Sequence, residues 1–160
     1  MAYTDEQMRR IIAEYGPCVY RLAMAQLRNQ ADAEDTYQEV FLRLIRSKPE
    51  FESPAHQKAW FIRVTANYCR DLQKKHSRRE LALMEQDQQP AAPGENAALS
   101  AALDALPEKY RTVVHLYYYE GYTTEEIAHV LEMNASTVRS SLKRARKRLK
   151  DFMEGGKADV

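Results

Sequence analysis

No run of apolar residues in the 160-residue chain approaches the roughly 18 needed to cross a bilayer, so no membrane-spanning helix is expected. The opening stretch MAYTDEQMRRII carries acids and lacks a continuous apolar segment, so it does not read as a secretory signal. Cysteine is scarce. Cys18 and Cys69 stand far apart without CxxC spacing, and two reduced thiols on helices in the cytoplasm are expected rather than a metal or redox pair. Histidine is sparse too: His56, His76, His115 and His129 are scattered, with no Ser/His/Asp set, glycine-rich phosphate loop or HExxH spacing. Neither catalytic residues, a metal nor a cofactor is therefore expected. Five glycines, six prolines and few β-branched runs favour helix throughout.

What is present in quantity is charge, and it is unevenly placed. The net charge is only +1, with 44% apolar and 29% charged residues, the composition of an ordinary globular chain. Yet Lys58–Glu80 carries seven bases against two acids, and TVRSSLKRARKRLK, Thr137–Lys150, carries seven bases and no acid. Asp32–Glu39 shows the opposite, four acids and no base. Two basic segments in a near-neutral chain have the form of electrostatic footprints for nucleic acid.

One stretch cannot join a core. Residues 85–96, EQDQQPAAPGEN, hold two prolines and a glycine and nothing apolar larger than alanine. They read as a flexible linker between an N-terminal domain over 1–84 and a C-terminal domain over 97–153, with 154–160 a tail. The expected architecture is all-α: two small helical domains, the second a helix-turn-helix.

The N-terminal domain reads as four helical pieces. Met8, Ile11, Ile12 and Tyr15 keep helical spacing, and Pro17 begins or kinks a second piece through Val19, Leu22, Ala23 and Leu27. A third starts at Asp32 as N-cap and runs to about Arg46, with Ala33, Tyr37, Val40, Phe41, Leu44 and Ile45 inward. Its opposite face shows Asp35, Gln38, Glu39 and Leu42. The fourth starts at Ser53-Pro54 and continues to roughly His76, with Phe61, Ile62, Thr65, Ala66, Cys69 and Leu72 as its buried stripe. Trp60, Arg63, Asn67, Arg70 and Lys74 share another face. An aromatic, an amide and cations together suit a nucleic-acid strand, by stacking, edge hydrogen bonds and phosphate contacts. A core tryptophan beside a solvated basic face explains the same pattern, and periodicity does not choose between them.

In the C-terminal domain Leu99, Leu103 and Leu106 precede Pro107, which starts a helix through Tyr110, Val113, Val114 and Tyr117, ended by Gly121. Thr123 and Glu126 have capping-box spacing, opening a short helix with Ile127, Ala128 and Leu131 inward. A tight turn at Met133–Ala135 then leads to a helix capped by Ser136, with Val138, Leu142, Ala145 and Leu149 inward. Two helices joined by so short a turn are a helix-turn-helix pattern. Arg139, Ser140, Lys143 and Arg144 are placed to reach base edges; Arg146, Lys147 and Arg148 suit phosphates. Membrane binding is disfavoured because the apolar stripe is already needed against Ile127 and Leu131.

DAEDTYQEVFLRL (Asp32–Leu44), WFIRVTAN (Trp60–Asn67), LPEKYR (Leu106–Arg111), YTTEEIA (Tyr122–Ala128) and TVRSSLKRAR (Thr137–Arg146) occur in that order. Together they resemble an extracytoplasmic-function (ECF) sigma factor of the sigma-70 family, from about Ile11 to Leu149. The resemblance implies a non-catalytic, cytoplasmic initiation subunit of bacterial RNA polymerase. It places Asp35, Gln38, Glu39 and Leu42 on the β′ clamp helices of the core enzyme, whose β subunit is a further partner. It places Phe51, Trp60, Arg63, Asn67, Arg70 and Lys74 on the −10 element, with Asn67 at a flipped base, and Arg139, Ser140, Lys143 and Arg144 on the −35 element. Thr137, Arg146, Lys147 and Arg148 become phosphate contacts, and an anti-sigma factor becomes an expected partner. The competing reading is a stand-alone helix-turn-helix regulator, which would bind duplex DNA tightly without polymerase.

Overall fold

The computed structural model of the chain describes residues 3–82 and 97–158. Every described element is helical, and they fall into two compact units, Met1–Gln89 and Pro90–Val160. The expected linker at 85–96 lies outside the described residues.

The first unit is built from three helices, α1 (Asp5–Leu27), α2 (Gln30–Ser47) and α3 (Pro54–Ala82), not four. Thr4 caps α1 through a reciprocal box with Gln7, the Gln7 N–H reaching Thr4 Oγ1 at 3.1 Å and the Thr4 N–H reaching Gln7 Oε1 at 2.9 Å. Helix α1 continues through Pro17. Proline there forfeits the N–H that would have gone to Ala13 and crowds that carbonyl, while Gly16 offers no Cβ to clash with the ring. Gly16 is also where α2 comes close: a Cβ there would lie 2.9 Å from the Tyr37 hydroxyl. Arg28 then takes a left-handed conformation and Asn29 caps α2, its side chain accepting the Asp32 N–H at 3.0 Å. Asp32 is thus in the first turn, not the cap, because Asn29 supplies the acceptor one turn earlier. Ser53 caps α3 as expected, accepting the His56 N–H at 3.1 Å, while His56 Nδ1 accepts the Glu52 N–H at 3.1 Å.

The three helices close on Tyr15, Val19, Val40, Phe41, Leu44 and Phe61, with a second cluster of Ala23, Leu27, Ala33 and Cys69. Tyr15 stacks on Phe61 with ring centroids 4.7 Å apart. Gln26 is buried too, donating from Nε2 to the Ala66 carbonyl at 2.9 Å and tying α1 to α3. Ile45, expected inside, is exposed, while Thr36 is buried with its hydroxyl on the Asp32 carbonyl at 2.8 Å. The buried arc of α2 centres on Ala33, Val40 and Leu44, and Ile45 lies roughly 120° from that centre while Thr36 lies inside the arc.

The second unit packs α4 (Ala97–Ala105), α5 (Glu108–Val114) and α6 (Thr124–Leu131) around α7 (Ala135–Ala158). Leu99, expected inside, is exposed in the first turn of α4, while Ala102 on the same face and Leu106 just beyond the helix are buried. Helix α5 runs into a π turn at His115–Tyr119, where the Glu120 N–H reaches five residues back to the His115 carbonyl at 3.1 Å. Gly121 follows with φ +73°, the left-handed position its sequence placement predicts.

Candidate functional site

Helix α6 begins with the expected capping box: the Glu126 N–H meets Thr123 Oγ1 at 3.1 Å, and the Thr123 N–H meets Glu126 Oε1 at 3.0 Å. It ends with Glu132 left-handed at φ +56° and the Met133 N–H reaching back to the Ala128 carbonyl at 2.8 Å. A non-glycine residue there costs about 1 kcal/mol, offset by the carbonyls the turn satisfies. Helix α7 then starts at Ala135, and the Asn134 carbonyl accepts the Val138 N–H at 3.1 Å. Asn134 therefore stands at the position that Ser136 was expected to fill, and the turn closes two residues sooner. Ile127, Ala128 and Val130 are buried on α6, with Leu131 only partly so. The α6–α7 pair is a helix-turn-helix.

On α7, Val138, Ser141, Leu142 and Ala145 are buried, whereas Thr137, Arg139, Ser140, Lys143, Arg144, Arg146, Lys147 and Arg148 are all exposed. Ser140, Lys143 and Lys147 lie opposite the buried stripe; the arginines flank them. Three of those arginines meet side chains of earlier elements. Arg139 Nη1 is 3.6 Å from Glu125 Oε1 on α6. Arg146 Nη1 donates to the Tyr118 hydroxyl at 2.8 Å, and the Arg148 guanidinium sits 5.3 Å from the Tyr110 ring centre. Arg111 is a cation of another kind. It is buried and donates to the Leu103 and Leu106 carbonyls, closing the C-terminal end of α4. Nothing in residue spacing distinguishes it from the surface bases, although its place in the LPEKYR stretch marks it.

The second basic face lies on α3. Trp60 is partly buried, edge-on to Phe61 with centroids 5.0 Å apart and to Phe51 at 5.9 Å. Phe51 is itself partly buried and edge-on to His56. Arg63 and Asn67 are partly buried; Arg70 and Lys74 are exposed. The indole is thus anchored against the core at one end of a face on which Arg70 and Lys74 are exposed.

The acidic face lies on α2. Asp35, Gln38 and Leu42 are exposed. Glu39 is more enclosed, bridged by Arg43 at 3.2 Å and Arg46 at 3.5 Å. Arg43 in turn sits over the Tyr68 ring at 5.2 Å. Burial pushes the Tyr68 hydroxyl above its ordinary pKa, and the nearby Glu39 and Asp35 carboxylates add to the rise. Ile45 joins Leu42 here one turn on, giving the acidic face an apolar ridge that the expected buried stripe had concealed.

Among the described residues no cluster of His, Cys, Asp or Glu could hold a metal ion, and no helix is long and apolar enough to cross a membrane.

Two family models match the chain in order: sigma-70 region 2 over residues 11–79 and sigma-70 region 4 over residues 96–149. The RNA polymerase sigma factor SigV of Bacillus subtilis is 30% identical over 142 residues, covering 85% of this chain and 84% of that protein. The ECF RNA polymerase sigma factor SigE of Mycolicibacterium smegmatis is 33% identical over 156 residues. The chain belongs to the ECF family of RNA polymerase sigma factors. It spans 60% of the length of the SigE relative. The fold also matches the sigma factor RpoE of Bartonella quintana, solved in complex with the anti-sigma factor NepR, with a TM-score of 0.75 at 21% identity over 91% of this chain and 96% of that one. Region 2 of this ECF sigma factor thus includes the α2 and α3 faces, and region 4 includes the helix-turn-helix.

Proposed function

We propose that this sigma factor binds core RNA polymerase and directs promoter-specific initiation in the bacterial cytoplasm, contributing recognition and strand opening but no catalysis. The observation that carries the proposal is the occurrence of two sigma-70 regions, in order, on two compact units that each expose a basic face. Asp35, Gln38, Glu39 and Leu42 dock on the β′ clamp helices, with Ile45 extending the apolar part of that contact. Phe51, Trp60, Arg63, Asn67, Arg70 and Lys74 engage the −10 element. There Asn67 meets a flipped base, an extrusion costing a few kcal/mol that stacking and edge contacts must offset. Arg139, Ser140, Lys143 and Arg144 read the −35 element in the major groove, and Thr137, Arg146, Lys147 and Arg148 hold phosphates. Residues 85–96 connect the two through the polymerase. An anti-sigma factor is the proposed inhibitory partner, on the likeness to RpoE bound to NepR. The stand-alone regulator reading is disfavoured, since it gives region 2 no task.

Co-purification with core polymerase tests this. The wild-type chain should be retained in a complex that opens promoter DNA. Asp35→Arg combined with Glu39→Arg should abolish retention while the circular dichroism stays helical. Tight, sequence-specific duplex binding without core enzyme, together with no retention of the wild type, would refute the proposal in favour of the regulator.

A further inference from the structure

Two arginines on one flank of α7, Arg139 and Arg146, are held by side chains of unlike charge. They are seven residues apart, so they lie on the same side of the helix two turns from one another. Arg146 rests on the neutral Tyr118 hydroxyl at 2.8 Å, which orients the guanidinium and leaves its charge undiminished. Arg139 instead faces the Glu125 carboxylate at 3.6 Å, with both side chains more than half exposed. Glu125 sits in the first turn of α6, where negative charge is favoured. Its own backbone N–H, the Thr124 hydroxyl and Arg139 hold its carboxyl below the ordinary value, so it is anionic at neutral pH. It is not part of the cap, which uses Glu126.

We infer that Glu125 is a specificity-determining residue of region 4, which holds and neutralises Arg139 so that this arginine exchanges its carboxylate only for a well-placed base acceptor. The inference rests on the proposed −35 reading. A lone phosphate competes poorly with Glu125, because it must attract Arg139 against a nearby like charge. A guanine edge offers two acceptors in the fork geometry of the guanidinium, and is uncharged. The carboxylate thereby suppresses binding to arbitrary sequence more than binding to the cognate one, a repulsive contribution to selectivity. An exposed bridge of this kind is weak enough for DNA to displace. Arg146, on its neutral partner, keeps the opposite role and holds phosphate whatever the sequence.

The test uses the full chain assembled with core polymerase and a pool of promoter fragments randomised across the −35 region. Retained DNA and the enriched sequence are compared for wild type, Glu125→Gln, Arg139→Ala and the double variant. The amide keeps the size of the side chain and leaves the Thr123–Glu126 box untouched, and thermal melting followed by circular dichroism verifies the fold. Glu125→Gln should retain roughly threefold more of the unselected pool, the scale expected of an exposed charge pair, and should enrich a weaker motif. In the Arg139→Ala background the same change should leave the motif unaltered. An equal motif and equal retention for wild type and Glu125→Gln would overturn the inference alone. A uniform loss of retention with Glu125→Gln would also overturn it, assigning the carboxylate to α6 stability. If the wild type enriches no motif, the −35 reading fails and this inference fails with it.

Discussion

The two basic faces of this sigma factor are built on opposite plans. On α3 the aromatic end leans on the core: Trp60 meets Phe61 and Phe51, and the cations further along, Arg70 and Lys74, are exposed. On α7 every candidate contact is exposed, and the helix is anchored through a separate stripe that includes Val138, Leu142 and Ala145. The difference matches the proposed tasks. Holding a strand open needs a rigid aromatic platform, since unstacked bases gain about 1–3 kcal/mol each from stacking. Reading an intact duplex needs side chains that reach into a groove, with charge along its rim. Stability and function should therefore be entangled on α3 and separable on α7.

The largest effect should come from breaking the α3 platform from beneath. Phe61 is fully buried and touches Tyr15, Phe41 and Trp60. Phe61→Ala should destabilise the chain by about 3–5 kcal/mol in denaturant unfolding and remove −10 function with it. On α7 the separation should be clean. Arg139→Ala should leave unfolding unchanged and weaken discrimination at one −35 position by about 1–3 kcal/mol in competition binding, if the guanidinium pairs with both guanine acceptors. An unchanged sequence preference would remove Arg139 from the readers.

Arg146→Ala should weaken binding to all sequences alike and reduce the slope of log affinity against log salt by roughly 0.9, one phosphate neutralised. An altered sequence preference instead would blur the division between readers and clamps. The smallest expected effect is on pH. The Glu125 carboxyl lies below its ordinary value, chiefly through its backbone N–H and then the Thr124 hydroxyl. The folded state binds this proton less readily than the unfolded one. Its contribution is therefore fully present above the ordinary carboxylate range and fades as pH falls through the lowered value. Acid melting curves of wild type and Glu125→Gln should accordingly converge at low pH and part at neutral pH; parallel curves would show no such linkage.

The helices and their faces were legible because apolar periodicity is a one-dimensional signal. The stripe of α3, the stripe of α7, the Thr123–Glu126 box, the Ser53-Pro54 start and Gly121 could all be placed from spacing and propensity. The errors sit where a neighbouring element decides. Pro17 passes inside one helix because Gly16 relieves the crowding and both α2 and α3 pack against α1. Thr36 displaces Ile45 from the core because α1 and α3 together define an arc narrower than the run of apolar residues on α2. Asn29 caps α2 in place of Asp32, and Asn134 rather than Ser136 precedes α7, because several residues near each helix start can cap and the length of the turn selects among them.

The sequence by itself determined the all-α class, the order of the two sigma-70 regions and which helix faces are charged, since each depends on residue type and spacing along the chain. Only the tertiary structure decided what those charges meet. Arg111 is turned inward onto the Leu103 and Leu106 carbonyls, Arg146 rests on Tyr118 and Arg139 on Glu125. The Arg146 pairing depends on the π turn at His115–Tyr119, and the Arg139 pairing on the packing of α6 against α7. Spacing along one helix carries no record of the side chains that another helix brings beside it.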